Sequence, residues 1–137
     1  MTKKRQIYRC AICGNIVEIT NEGAGTLVCC GKPMEHLEGN TTDAAVEKHV
    51  PVVECVDGGY VVKVGSAEHP MTPEHYIQWI ELQTETMVLR KELTPVDKPE
   101  AFFRTDEKVT GVREYCNLHG HRKSKRIPEK HLFLLHC

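Results

Sequence analysis

The chain has 137 residues, 40% of them hydrophobic and 27% charged, and a net charge of −1. That length suits one ordinary domain or two small ones, and the near-neutral balance provides no field for nucleic acid or an anionic membrane surface. No apolar run approaches the ~20 residues of a membrane span, and no apolar stretch follows the basic start Met1-Thr2-Lys3-Lys4-Arg5, so the expected location is the cytoplasm, with no nucleic-acid or membrane partner.

Seven Cys and eight His are many for this length. An odd Cys count in a chain expected to be cytoplasmic argues for metal ligation rather than a disulfide framework.

The first unit spans residues 1–38. It opens with Cys10-Ala11-Ile12-Cys13-Gly14, continues through the alternating run Ile16-Val17-Glu18-Ile19 and the turn cluster Asn21 to Gly25, and reaches the adjacent pair Cys29-Cys30. These features predict short strands joined by tight turns. So small a unit cannot bury enough apolar surface to hold itself together, so a metal staple is expected. Four thiolates on Cys10, Cys13, Cys29 and Cys30 suit tetrahedral iron or zinc. The adjacent pair shares one peptide, which limits how its sulfurs spread and predicts a distorted site.

Residues 38–42 form a linker, and Asp43 to Lys48 have the composition of a single helical turn. From His49 the pattern is strand and turn. Val52 to Val56 and Tyr60 to Val64 flank Asp57-Gly58-Gly59, the clearest hairpin signal in the chain. Tyr76 to Leu82, Met87 to Leu89, Ala101 to Phe103 and Val109 to Tyr115 are further strand candidates, with almost no helical periodicity between them. This spacing predicts an antiparallel sandwich over 39–121, and hence an all-β chain. Cys55, in mid-strand, reads as a small half-buried hydrophobe. Residues 122–137 form a tail with a basic opening, Arg122 to Arg126, and an apolar close, His131 to Cys137.

A second metal site has five candidate ligands: His49, His69, His75, Cys116 and His119. His69 and His75 bracket a proline-containing loop, and Pro70 biases His69 toward an extended backbone. His75 begins the Trp79 strand, while Cys116 and His119 follow another strand. Strand ends and loops on a rigid sandwich are where such folds build sites. His36 and His121 are read as non-ligands.

Cys10-x-x-Cys13 with Cys29-Cys30 resembles the desulforedoxin motif. Glu47-Lys48-His49-Val50-Pro51, Gly65 to Met71, His75 to Glu81 and Glu114 to His121 resemble the superoxide reductase (neelaredoxin) domain. Together, in this order, they resemble the desulfoferrodoxin family over about residues 6 to 121. In that family an aromatic residue commonly follows the final His of the motif, whereas Arg122 stands here, and the tail does not match.

The resemblance implies two iron ions per chain. One is held by Cys10, Cys13, Cys29 and Cys30. The other is in a square pyramid with His49, His69, His75 and His119 equatorial and Cys116 axial. It implies an immunoglobulin-like β-sandwich after the desulforedoxin-like domain, a homodimer, and one-electron reduction of superoxide to hydrogen peroxide with electrons from rubredoxin or a similar donor. Neutral imidazoles and one thiolate leave a ferrous site net positive, and a thiolate opposite an open position donates electron density. Lys48 would steer superoxide and polarise the product, and Glu47 would cap the open position in the oxidised state. Without the motif, this pair reads as a solvated surface turn. Two other classes fit less of the pattern: a rubredoxin-like electron-transfer protein with two iron centres, and a zinc-stapled binding module.

Overall fold

The structure, a computed structural model, describes residues 1–38, 51–64, 70–117 and the backbone of 120–123. It is all-β, with no helix among the described residues, and divides into two compact units, Met1–Glu38 and Gly39–Cys137. The helical turn expected over 43–48 lies outside the described residues.

In the first unit, β1 (Ile7–Arg9) lies between β2 (Ile16–Glu18) and β5 (Glu35–Leu37), antiparallel to both. A second ladder pairs β3 (Val28–Cys29) with β4 (Lys32–Pro33). Its loop is Cys30-Gly31, both at positive φ (54° and 74°). That is the pattern of a two-residue hairpin turn whose twist matches its strands. Cys30 thus holds a left-handed backbone that costs a non-glycine residue about 1 kcal/mol. The buried apolar side chains of this unit are Ile7, Cys10 and Ile19, a very small core. Thr2 ties the chain start to Gly23 through reciprocal bonds. Its N–H donates to the Gly23 carbonyl at 2.9 Å, and its Oγ1 accepts from the Gly23 N–H at 2.9 Å.

The second unit is a sandwich of two antiparallel sheets. One has the order β10-β7-β6, with β6 at Pro51–Val56, β7 at Gly59–Val64 and β10 at Glu100–Arg104. The other has the order β12-β11-β8-β9, with β8 at Ile77–Thr84, β9 at Val88–Glu92, β11 at Val109–Cys116 and β12 at Gly120–Lys123. The β6–β7 hairpin turns at Asp57-Gly58, where Gly58 has φ +85°. Gly59 is required for a different reason: a Cβ there would stand 2.0 Å from the Phe103 carbonyl oxygen of β10.

Both sheets contribute to one core. Val53, Tyr60, Val62, Val64, Ala101 and Phe103 come from the first, and Ile77, Ile80, Leu82, Val109, Val112 and Cys116 from the second. Period-two alternation explains β6, where Pro51 and Val53 point in and Val52 and Glu54 point out. The central strands β8 and β11 are buried on both faces. Opposite the core, Glu81 is fully buried and takes ion pairs from Arg90 of β9 and Arg113 of β11, while the Gln83 Nε2 donates to it at 2.7 Å. Arg90 also lies 5.3 Å from the Trp79 ring centroid, and Trp79 stacks on Tyr115 at 6.0 Å. A buried carboxylate flanked by two guanidiniums is tolerable because its charge is paired on both sides.

Two features depart from the sequence reading. The sheet continues past residue 121, because β12 runs to Lys123 opposite Arg113. Cys55 packs against the core as expected but is disulfide-bonded rather than a plain hydrophobe.

Glu107 pins the loop before β11. Its carboxylate accepts from Thr84 Oγ1 and Thr86 Oγ1, each at 2.8 Å. These bonds, that of Thr84 foremost, hold its pKa below the ordinary 4.5. A carboxyl depressed in the folded state stabilises the fold above its unfolded pKa and loses that contribution as pH falls through the folded value. Glu107→Gln is therefore expected to lower the urea midpoint at pH 7, with the gap to wild type closing in stages below pH 4.5; a gap unchanged by acid would contradict the assignment.

Candidate metal centres

The first site lies in the first unit. Cys10, Cys13, Cys29 and Cys30 place one sulfur each within 4.8 Å of all the others. The Cys13 and Cys29 sulfurs are 3.6 Å apart. Four sulfurs each about 2.3 Å from a common ion would stand about 3.8 Å from one another, so the cluster fits a tetrahedral metal.

Local backbone builds this geometry. Cys10 directly follows β1 and is 2% exposed. The chain then folds back, with the Gly14 N–H donating to the Cys10 carbonyl and the Cys10 N–H to the Asn15 carbonyl, both at 2.9 Å. Gly14 takes φ +84° to make that turn, which explains the glycine after Cys13. The Cys13 N–H points at Cys10 Sγ, 3.4 Å away. On the other side, Cys29 is the last residue of β3 and Cys30 sits in its turn, so the left-handed residue is what lets neighbouring thiols serve one centre. The Asn15 Nδ2 lies 3.9 Å from Cys29 Sγ.

The thiol electrostatics agree. The Cys13 N–H, foremost, brings the Cys10 thiol down to about 6. Hydrogen bonding with Cys13, then with Cys10 and Cys29, pushes Cys30 up to about 12, and Cys29 is raised by Cys13 in the same way. One thiolate forms readily and the last is strongly opposed. A cation at the centre removes that opposition, and its binding drives off the remaining protons.

At the second site, the structure brings His75 and Cys116 to the same end of paired strands. Cys116 is the last residue of β11 and stands opposite Ile77, the first of β8, after a slip in register between Tyr115 and Cys116. Its thiol is in no disulfide and is 1% exposed. His75 lies two residues before Ile77 in a tight turn. Its N–H donates to the Thr72 carbonyl at 3.0 Å, and the Thr72 N–H donates to its carbonyl at 2.9 Å.

Asn117, which sequence reasoning did not single out, joins the two segments. Its Oδ1 accepts from the Tyr76 N–H at 2.8 Å, and its Nδ2 donates to the Glu74 carbonyl at 3.1 Å. Its own N–H donates to the Tyr76 carbonyl at 3.1 Å. The side chain therefore grips the backbone on both sides of His75, next to Cys116 in sequence. No local pattern signals a contact across 41 positions. Glu47, Lys48, His49, His69 and His119 lie outside the described residues.

Cys13→Ser is expected to hold one metal ion fewer per chain and to make residues 1–38 sensitive to protease while the sandwich stays resistant. Elemental analysis with limited proteolysis checks this; an unchanged metal content would show that Cys13 is not a ligand.

Comparison with known proteins gives a consistent answer over most of the chain. The family model "Desulfoferrodoxin, N-terminal domain" matches residues 2–37, and the model "Desulfoferrodoxin" matches residues 41–125. A desulfoferrodoxin from Syntrophotalea carbinolica is 57% identical over 120 residues, covering 88% of this chain and 95% of that one. One from Desulfarculus baarsii is 51% identical over 125 residues, covering 91% and 99%. The crystal structure of the superoxide reductase from Treponema pallidum aligns with TM-score 0.72 and 36% identity, covering 88% of this chain and 97% of that one. Two matched modules in this order, on an all-β fold with a four-thiol cluster in the first, place this chain in the desulfoferrodoxin family.

Proposed function

We propose that this chain is a superoxide reductase. It passes one electron to superoxide, which takes up two protons and leaves as hydrogen peroxide. No dioxygen is formed, so an external reductant is needed, and a rubredoxin-like protein is the donor on this reading. The working unit is a homodimer in the cytoplasm.

The observation that carries the reading is the placement of Cys116 and His75. A buried thiol closes one strand, and the histidine segment is clipped to it by Asn117. A soft thiolate beside imidazole suits a non-haem iron that gives up one electron. The site would be held by His49, His69, His75, His119 and Cys116, and the four-thiolate site by Cys10, Cys13, Cys29 and Cys30. Bound iron would supply the one-electron reducing power.

The chain's own residues do the remaining work. Burial keeps the Cys116 sulfur from water and oxidants, so it serves as a ligand rather than a reactive thiol. Asn117 holds the His75 backbone, which limits the directions available to the imidazole. Lys48, next to His49 in sequence, attracts the superoxide anion with its ammonium and supplies a hydrogen bond to the departing product. Glu47 precedes it in sequence, and its carboxylate would shield bound iron in the oxidised resting state.

The iron-loaded, reduced protein is expected to consume superoxide in proportion to the electrons supplied, with peroxide as product. Consumption no greater than background would end this reading. Lys48→Ala is expected to slow the reaction about tenfold at low ionic strength and to flatten its salt dependence. Stopped-flow rates across a salt series measure both, and a variant matching wild type at every salt concentration would remove the steering role.

A further inference from the structure

We propose that the Asn15 side chain raises the reduction potential of the four-thiolate centre by donating a hydrogen bond from Nδ2 to the Cys29 sulfur. The bond acts on iron at that centre, whatever the other centre reduces.

Asn15 is tied to both halves of the sulfur cluster. Its carbonyl accepts from the Cys10 N–H at 2.9 Å, and the neighbouring Gly14 N–H donates to the Cys10 carbonyl at 2.9 Å. These bonds fix Asn15 against the Cys10–Cys13 turn, and Gly14, at φ +84°, sets the direction in which the chain leaves it. The side chain then crosses to the Cys29-Cys30 hairpin, where Nδ2 lies 3.9 Å from Cys29 Sγ, 14 positions away in sequence. This side of the cluster has little cover: Cys29 is half-buried, and Cys13, Cys30 and Asn15 are exposed. A donor anchored through the backbone keeps its place at that sulfur, where water alone would come and go.

The chemistry selects the amide nitrogen. A metal-bound thiolate has no proton and only accepts, so the asparagine presents its N–H rather than its carbonyl oxygen. Four thiolates carry one negative charge more than ferric iron balances and two more than ferrous iron balances. Reduction adds one electron from a donor outside the chain, and no bond is made or broken. A hydrogen bond to sulfur stabilises the more negative, reduced form more, so it raises the potential. The Cys13 backbone N–H, 3.4 Å from Cys10 Sγ, acts in the same sense. Asn15 differs in that a side-chain substitution removes its donor and leaves all four sulfurs in place.

The test is a redox titration of the full-length, two-iron protein, followed by its ferric-thiolate absorption. The midpoint missing from Cys13→Ser belongs to the four-thiolate centre. Asn15→Leu, of similar volume and without a donor, is expected to shift that midpoint to lower potential and leave the other in place. Its Fe–S stretching frequencies in resonance Raman spectra are expected to rise, as the unbonded sulfur gives more charge to ferric iron. Asn15→Gln keeps an amide N–H on a longer arm and is expected to recover part of both shifts. If the leucine variant holds no iron, Asn15→Ser, whose side chain is too short to reach the sulfur, gives the same reading. Wild-type potential and Raman frequencies in the donorless variant would overturn the proposal. So would an equal shift at both centres, or a glutamine variant shifted as far as the leucine one.

Discussion

Cys116 reaches its place because β11 stays paired with β8 to its last residue, where a slip in register sets it across from Ile77. The pairing fixes more than one side chain. His75 precedes Ile77 by two residues, and Asn117 follows Cys116 by one, so both flanks of the ladder meet at one end of the strand pair. Asn117 closes the end of the ladder with three hydrogen bonds to the Glu74 and Tyr76 backbone. The slip matters because strand side chains alternate with period two. Cys116 faces the core beside Ile77 and Val112, and a one-residue change would turn its sulfur toward the opposite face, where Tyr115 and Arg113 now lie. The paired charges of Glu81, Arg90 and Arg113 hold the same two strands together from behind. Fold and chemistry are coupled through one strand pair.

The small unit answers to a different constraint. Its few buried apolar residues cannot offset the entropy of ordering about 40 residues. The four sulfurs supply what the core lacks, but only with a cation among them, since Cys10 ionises near 6 while Cys30 resists to about 12. The positive-φ Cys30 fits the same account. A left-handed non-glycine residue costs free energy, and the site offsets it by using neighbouring sulfurs at one ion. Here a metal would stand in for a core, whereas in the sandwich a full core positions the candidate ligands His75 and Cys116.

Much of this was legible in the chain. Asp57-Gly58 between β-branched runs announced the β6–β7 hairpin, and the run Tyr76 to Leu82 announced β8. The C-x-x-C and Cys-Cys pairs announced a four-thiol site, because its members lie close to turns that local residues dictate. Other features were not readable, and the reason is range. Nothing local marks Glu81 as a buried charge, yet it is buried and paired with Arg113, 32 positions away. Asn117 looked like a spacer between Cys116 and His119. β12 was hidden because His121, Arg122 and Lys123 resemble a solvated tail, and an edge strand needs backbone pairing rather than apolar side chains. Cys55 read as a hydrophobe because nothing local marks a disulfide partner.

The central claim is that one chain carries two iron centres of different kinds, one closed by four thiolates and one open to a small anion. Metal content with the visible spectrum of the oxidised protein, recorded before and after adding azide, tests it most directly. The account predicts two irons per chain, strong ferric-thiolate absorption, and a shift with azide confined to part of that absorption. A colourless zinc protein, or a two-iron spectrum untouched by azide, would contradict it.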